Sequence, residues 1–410
     1  MRGKTIVVGV SGGIAAYKAC EAVRLLVQAG ATVQVVLTRA AEEFVTPLTL
    51  QALSGRPVAR RTFDLTEESE IGHIRIADTA DALLIAPATA NVIAKLATGI
   101  ADDLLTTVVL ATRAPVLVAP AMNVHMWENA TVQANVARLR DAGHVVIEPA
   151  SGALACGYEG AGRLPEPDVL VEEVAVAVTE KTLAGRRVLV TAGPTWEALD
   201  PVRHVANRSS GKMGFAVARA ARRRGARVTL VTGPTALADL RGVECVHVTS
   251  AREMEKAALH HAAAADCVVM AAAVGDYRPL EAARHKIKRG RGDLEIRLTP
   301  NPDILAKIGA LPGQRVIVGF AAETRDLVAN ARRKLQAKGV HLMVANDVTA
   351  PDAGFDVDTN IVTLIDRSGR VERFEKMSKD EVAGVILDRV RDLRTPRTTV
   401  RAAPRRLRRR

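Results

Sequence analysis

Aromatic side chains make up only 3% of the 410 residues, against a hydrophobic share of 48%. A core assembled under that limit rests on Ala, Val and Leu, the aliphatic mixture of parallel sheets covered by helices on both faces. Long apolar runs are lacking as well. No stretch approaches the roughly 18 residues that a membrane-spanning helix needs, so none is expected. The chain passes from a short strand pattern straight into Ser11-Gly12-Gly13, without the apolar core and small-residue cleavage site of a leader, so no signal peptide is expected either. Cysteine is scarce. Cys20, Cys156, Cys245 and Cys267 show no C-x-x-C spacing, which argues against a disulfide frame or a thiolate zinc site and points to a reducing cytoplasm.

Acidic residues are absent from residues 394–410, RTPRTTVRAAPRRLRRR, which hold eight arginines and supply most of the net charge of +12. The rest of the chain is only mildly basic, and this Pro- and Arg-rich end reads as a disordered, solvated tail. No aromatic side chains interleave its arginines, which leaves a nucleic-acid-binding role weakly supported. The fingerprint G-x-G-x-x-G with an acid about twenty residues on is also missing, so an ordinary NAD-dependent reductase fits poorly.

What is present is a start made twice. Residues 3–13, GKTIVVGVSGG, open with a basic residue, a β-branched run and glycines, and residues 185–193, GRRVLVTAG, repeat the scheme. Each reads as a buried parallel strand feeding a helix, so two doubly wound, Rossmann-like α/β domains are expected. Their bounds are 1–184 and 185–393, with the basic tail at 394–410. In the first, strands are expected over 4–10, 33–37, 82–86, 116–119 and 145–147, with helices over 14–28, from 92, over 102–112, 128–142 and 168–181. Residues 151–163, SGALACGYEGAGR, read as a mobile glycine-rich loop. In the second, strands are expected over 187–191, 227–231, 245–248, 267–271, 294–298, 315–319 and 341–345, and a long polar loop from 192 to Lys212. Helices are read to Arg224 and over 251–264, 302–309 and 325–337, then a hairpin over 354–374 and a last helix over 378–393.

Small polar clusters fall at the carboxyl ends of these strands, where open α/β sheets bind ligands. They include Ser11-Gly12-Gly13, Thr38, and the run Pro87-Ala88-Thr89-Ala90-Asn91. His73 in EIGHIRIAD, Asn123 and Met126 in PAMNVHMW, and Cys156 stand out beside them. A single His or Cys is more often packing or surface. Cys156 differs in being flanked by glycines, a setting that suits an exposed proton donor on a lid. In the second domain Arg203, Asn207, Arg208, Ser209, Ser210, Gly211 and Lys212 concentrate anion-binding groups before a helix, although Asn-Arg-Ser-Ser-Gly is also good turn chemistry. Lys286 and Lys288 lie in RHKIKRGRG, a charge run that alone reads as a solvated face.

SGGIAAYK, PAMNVHMW and SGALACGYEGAGR together resemble the flavin-containing cysteine decarboxylases. With the second-domain motifs, essentially residues 1–393 resemble the bifunctional phosphopantothenoylcysteine decarboxylase/phosphopantothenate–cysteine ligases of coenzyme A biosynthesis. The resemblance implies a cytoplasmic homo-oligomeric enzyme acting on small molecules, trimer-based through a flavodoxin-like first domain and with dimer contacts through the second. It implies FMN held by Ser11, Gly12, Gly13, Thr38, Ala88, Thr89 and Asn91. In the implied chemistry a hydride passes from the cysteine moiety to FMN, a thioaldehyde loses CO2 to give an enethiolate, and the hydride returns. Asn123 would hold the carboxylate, His73 would act as base or orienter near the thiol, and Cys156 would protonate the enethiolate carbon.

For the second domain the resemblance implies CTP with Mg2+, the metal riding mainly on the triphosphate. Phosphopantothenate becomes an acyl-cytidylate with release of pyrophosphate, and the cysteine amine then attacks it. Lys286 would neutralise the triphosphate, Asn207 would turn over the acyl-cytidylate, and Ala271, Ala272, Asp276, Asn301, Pro302, Asp303, Ile304, Phe320, Lys334 and Lys338 would contact the nucleotide. The chain departs from the family pattern at Arg289, which closes KIKR in place of a lysine, at Gly275, and at Trp196. A flavoprotein decarboxylase whose second half serves only oligomerisation is the alternative, and the intact Asn207 and Lys286 loops count against it.

Overall fold

The computed structural model describes residues 1–62, 72–153, 158–289, 293–323, 326–347 and 357–394; Cys156, Thr324 and the tail beyond residue 394 lie outside them. The chain divides into two compact units, Met1–Thr179 and the remainder from Glu180. Among the described residues no helix is long and apolar enough to cross a membrane.

In the first unit, strands β1 (Thr5–Val10), β2 (Thr32–Leu37), β3 (Ala82–Ala88), β4 (Val116–Pro120) and β5 (Val145–Val146) form a sheet in the order β2-β1-β3-β4-β5. Every pairing in it is parallel. This is the flavodoxin-like order, and its connections reverse direction between β1 and β3. The alternation of side chains along a strand divides each apolar run between two layers. Ile6, Val8 and Val10 pack with Ala19 and Val23 of α1 (Ala16–Gln28) on one face. Val7, Leu83 and Ile85 pack on the other with Ile93 and Leu105, from the helices that follow β3. Every residue of β3 is buried, as a central strand covered on both faces requires.

The remaining helices of this unit are α2 (Pro47–Ser54), α3 (Gly72–Thr79), α4 (Ala90–Thr98), α5 (Leu104–Ala111), α6 (Val124–Glu128), α7 (Ala130–Asp141) and α8 (Pro167–Val178). The helix expected over 128–142 forms as α7, and the short α6 precedes it; Asn129 ends α6 and caps α7, its Oδ1 accepting from Thr131 N at 2.9 Å. The segment read as a mobile loop is instead framed by an antiparallel hairpin of β6 (Ala150–Ala153) and β7 (Glu159–Arg163). Its glycines supply backbone conformations that let the strands pair, and the hairpin tip lies outside the described residues.

The second unit holds β8 (Arg187–Ala192), β9 (Trp196–Ala198), β10 (His204–Ala206), β11 (Arg227–Thr232), β12 (Glu244–His247), β13 (Cys267–Met270), β14 (Tyr277–Pro279), β15 (Leu298–Pro300), β16 (Val316–Glu323), β17 (Leu342–Asp347), β18 (Thr359–Asp366) and β19 (Val371–Ser378). Its main sheet runs β12-β11-β8-β13-β16-β17-β18-β19. The first six are parallel in the Rossmann order, with the reversal between β8 and β13, and β18 and β19 add an antiparallel edge. Helices α9 (Lys212–Arg223) and α13 (Lys379–Arg394) belong to one side; α10 (Ala251–Ala262), α11 (Ile304–Gly309) and α12 (Leu327–Ala337) belong to the other.

Two expectations change here. The polar loop after β8 contains the β9–β10 hairpin, whose three-residue strands are too short to show a period. The strand read at 294–298 forms instead at Leu298–Pro300, where Tyr277–Pro279 comes alongside to pair with it. Of the alternating Leu294, Ile296 and Leu298, only Leu298 falls in the paired strand.

Two candidate active sites

Ser11 ties the sheet reversal of the first unit together. Its buried hydroxyl donates to the Pro87 carbonyl at 2.7 Å and accepts from Thr89 N at 3.1 Å, linking the ends of β1 and β3. Thr89 then caps α4, its Oγ1 accepting from Val92 N at 3.4 Å. Gly12 runs against the turn after β2, where a Cβ would come within 2.6 Å of the Ala40 backbone. Thr38 Oγ1 is buried and has no hydrogen-bond partner among the described residues.

Ser11, Gly12, Thr38, Thr89 and Asn91 line a hollow of about 750 Å³. A neighbouring cavity of about 550 Å³ adds Gly13, Asn123, Lys18 and Arg163, and the two share Gly12, Thr89, Ala90 and Met126. Six of the seven expected cofactor positions therefore line the two hollows. The seventh, Ala88, is fully buried and reaches Ala121 N through its carbonyl at 3.0 Å.

Asn123 caps α6, its Oδ1 accepting from His125 N at 2.8 Å. The hairpin presses onto this turn. Met122 N donates to Gly162 O at 2.9 Å, and a Cβ on Gly162 would lie 2.3 Å from Met122 O. His73, at the start of α3, is not gathered with Asn123. It lines a separate hollow of about 280 Å³ with Arg60, Arg61 and Arg75, and its Nδ1 is buried without a partner among the described residues. Sequence reasoning missed Lys18, whose Nζ lies 2.7 Å from Glu166 Oε1 at the cavity wall, with Arg163 3.6 Å from the same oxygen. Its signal was the final letter of SGGIAAYK.

In the second unit the turn after β13 gathers the expected residues. Asn207 Nδ2 donates to Val274 O at 2.9 Å, Asn301 Nδ2 donates to Gly275 O at 2.8 Å, and Asn301 N donates to Asp276 O at 2.8 Å. Ala271 N and Ala272 N, at the end of β13, donate to Thr191 O and Thr191 Oγ1, both at 3.2 Å. Pro302 follows, then Asp303, which caps α11 at Ile304 through Ala306 N at 2.9 Å and pairs with Lys338. Lys334 lies one turn earlier on α12, and Phe320 is a half-buried residue of β16.

Lys286 and Lys288 are exposed on either side of half-buried Ile287. Arg203 was grouped with the anion-binding residues before α9, but its guanidinium is committed elsewhere. Nη2 donates to Asp200 Oδ2 at 2.6 Å and also to Ile287 O. Burial works to raise the Asp200 carboxyl, but amide donors from Val202, Ile287 and Arg203 and the guanidinium outweigh it and hold the group below the usual carboxylate range. Two of the three departures have structural settings. Trp196 stacks on His204 with ring centroids 4.2 Å apart and planes 11° off parallel. A Cβ on Gly275 would lie 3.5 Å from its nearest neighbour, Tyr277 O, which is ordinary contact.

Residues 1–179 match the family model described as Flavoprotein, and residues 183–393 match that of the DNA/pantothenate metabolism flavoprotein C-terminal domain. The chain is 48% identical over 394 residues to a coenzyme A biosynthesis bifunctional protein CoaBC of Bacillus subtilis, covering 95% of this chain and 97% of that one. It is also 48% identical over 390 residues to the protein of the same name from Vibrio cholerae, covering 94% of this chain and 98% of that one. Among solved structures, a C-terminal domain of CoaBC is 39% identical, covers 52% of this chain and 98% of its own, and has a TM-score of 0.46.

Proposed function

Because this chain belongs to the family of coenzyme A biosynthesis bifunctional proteins CoaBC, we propose that its first unit is the decarboxylase and its second unit the CTP-dependent ligase. The chain is a bifunctional enzyme with phosphopantothenate–cysteine ligase and phosphopantothenoylcysteine decarboxylase activities. The observation that carries the division of labour is the pair of sheet reversals, each with its own polar cluster at the carboxyl strand ends.

In the first unit we assign FMN to the hollows beside Ser11. The residues fit a phosphate-bearing cofactor. Among the described residues Thr38 Oγ1 is a buried hydroxyl without a partner, and Gly12 keeps the loop after β1 close to the turn after β2. When bound, FMN supplies a reversible hydride sink for the substrate's cysteine moiety. The chain's own residues then do the positioning. Asn123, whose Oδ1 caps α6, is assigned to hold the substrate carboxylate through its side-chain amide. The wall cations Lys18 and Arg163 leave a positive balance against Glu166 for an anionic substrate. Cys156 keeps its role as proton donor to the enethiolate carbon, and His73 its role as base or orienter, in the proposal.

In the second unit CTP is placed against the turn after β13, with Lys286 and Lys338 facing the triphosphate and Mg2+ carried on its oxygens. Attack of the phosphopantothenate carboxylate on the α-phosphorus releases pyrophosphate, and cysteine's amine then displaces CMP from the acyl-cytidylate. Asn207, anchored to Val274 O, steadies the acyl group for that second step. Self-association is part of the proposal, trimer-based through the first unit and with dimer contacts through the second. Exposed apolar side chains such as Tyr17 and Leu48 in the first unit, and Tyr277 and Leu294 in the second, support it.

The test follows CO2 and pyrophosphate together in the full chain given 4′-phosphopantothenate, cysteine, Mg2+ and CTP. Both products are expected, with CO2 lost and pyrophosphate kept in Cys156→Ser. Loss of both in that variant would refute separate sites.

A further inference from the structure

We propose that Asp200 is the positioning residue of the ligase loop, a buried carboxylate that clasps the backbone of Ile287 and so fixes how Lys286 and Lys288 are presented to phosphate. The proposal rests on the reading of Lys286 as a triphosphate contact.

The Asp200 side chain is completely buried. Its Oδ1 accepts from Val202 N at 2.8 Å and Arg203 N at 2.9 Å, which shapes the turn between β9 and β10. Its Oδ2 accepts from Arg203 Nε at 3.0 Å and from Ile287 N at 3.1 Å. Arg203 Nη2 in turn donates to Ile287 O. The acid and its guanidinium partner therefore grip both polar groups of one residue more than eighty positions away. Ala283 N adds a bond to Leu199 O at 2.9 Å, so the basic segment lies along the turn.

An apolar side chain could fill the space under this turn, but it could not hold an N–H and a C=O in fixed directions. A buried charge is costly unless its lone pairs are satisfied, and here five donors satisfy them. The clasp acts on the backbone between two exposed lysines. It lowers the ordering cost of a loop that would otherwise sample many arrangements before meeting an anion.

The experiment measures pyrophosphate release against CTP concentration in the full chain, with CO2 release from supplied phosphopantothenoylcysteine as a folding control. Asp200→Asn is expected to raise KM for CTP about tenfold, the worth of one charge-assisted tether, and to leave CO2 release unchanged. In a Lys286→Ala background the same change costs less, because part of its effect passes through that lysine. Ile287→Pro, which removes the clasped N–H and leaves Asp200 with Arg203, reproduces the rise. Unchanged KM in Asp200→Asn or Ile287→Pro overturns the clasp, as does an undiminished effect in the Lys286→Ala background. If Lys286→Ala itself leaves pyrophosphate release intact, the reading of Lys286 as a triphosphate contact fails and takes the clasp with it.

Discussion

Replacing Gly162 by alanine would set a methyl carbon 2.3 Å from the carbonyl oxygen of Met122. That is more than ~1 Å inside ordinary contact; the methyl carbon is fixed to its own Cα and the oxygen belongs to backbone, so no side chain can swing aside to relieve it. Gly162 also sits at φ +145°, a conformation that a side chain adopts at a cost of about 1–3 kcal/mol. Relief requires β7 to lift from the Met122–Asn123 turn, which breaks the Met122 N to Gly162 O bond and costs ~1 kcal/mol more. The total, about 2–4 kcal/mol, exceeds what one strand contact returns. The hairpin is expected to move, and Asn123, capping α6 on the same turn, moves with it. A displacement near 1 Å at a substrate-orienting residue lowers turnover roughly 100-fold. CO2 release should fall by that order while pyrophosphate release holds, since the changed residue lies in the first unit. Gly55→Ala is the control. It too has positive φ, +69°, but nothing lies within 4 Å of the added carbon, so it should cost stability and leave CO2 release alone. A folded Gly162→Ala enzyme that decarboxylates within twofold of the parent would refute the argument.

Two further outcomes follow from the second unit. Burial, with Arg367 nearby, lowers His341 to about 4, and its Nδ1 accepts from Ile317 N at 3.2 Å. Against an ordinary value of about 6.5, the folded state resists protonation, so this contribution is complete above about pH 6.5 and is lost as pH falls toward 4. The melting temperature of the second unit should therefore drop more steeply between pH 7 and 5 than that of His341→Gln, and parallel curves would contradict it. Gly275→Ala should keep ligase activity and gain up to about 1 kcal/mol through a less free unfolded chain, since its Cβ meets only ordinary contacts; a fall in pyrophosphate release would show that the glycine is needed for a reason other than space.

The strands were legible where burial is two-sided. Residues 82–86 are an uninterrupted apolar run and residues 187–191 an apolar core between Arg187 and Thr191; both became central strands, extending two and one residues beyond the reading. Short antiparallel pieces were not legible. β9, β10, β14 and β15 have three residues each, too few to show a period, and β14 and β15 pair across some twenty residues of chain. The glycines of 151–163 read as mobility because freedom and tight approach use the same residue. Only the neighbouring Met122 carbonyl shows which applies at Gly162. Ser11 and Thr89 could be found because the sheet reversal sends both strand ends to one rim, and Asn207 because it stands in a run of anion-binding groups before α9. Asp200 could not. Its importance lies in Ile287, and nothing in the letters DPVR points to residue 287.

Lys338 meets any anion already engaged, through the carboxylate of Asp303. That carboxylate is itself divided, one oxygen capping α11 at Ala306 N and the other holding the ammonium. A phosphate arriving here does not add a new ion pair but exchanges one partner for another, and leaves behind a carboxylate still satisfied on its helical side. Such an exchange yields little net attraction and a shallow dependence on salt. If Lys338 contacts the triphosphate as proposed, the exchange confers discrimination, since only a ligand able to outcompete a tethered carboxylate claims the ammonium.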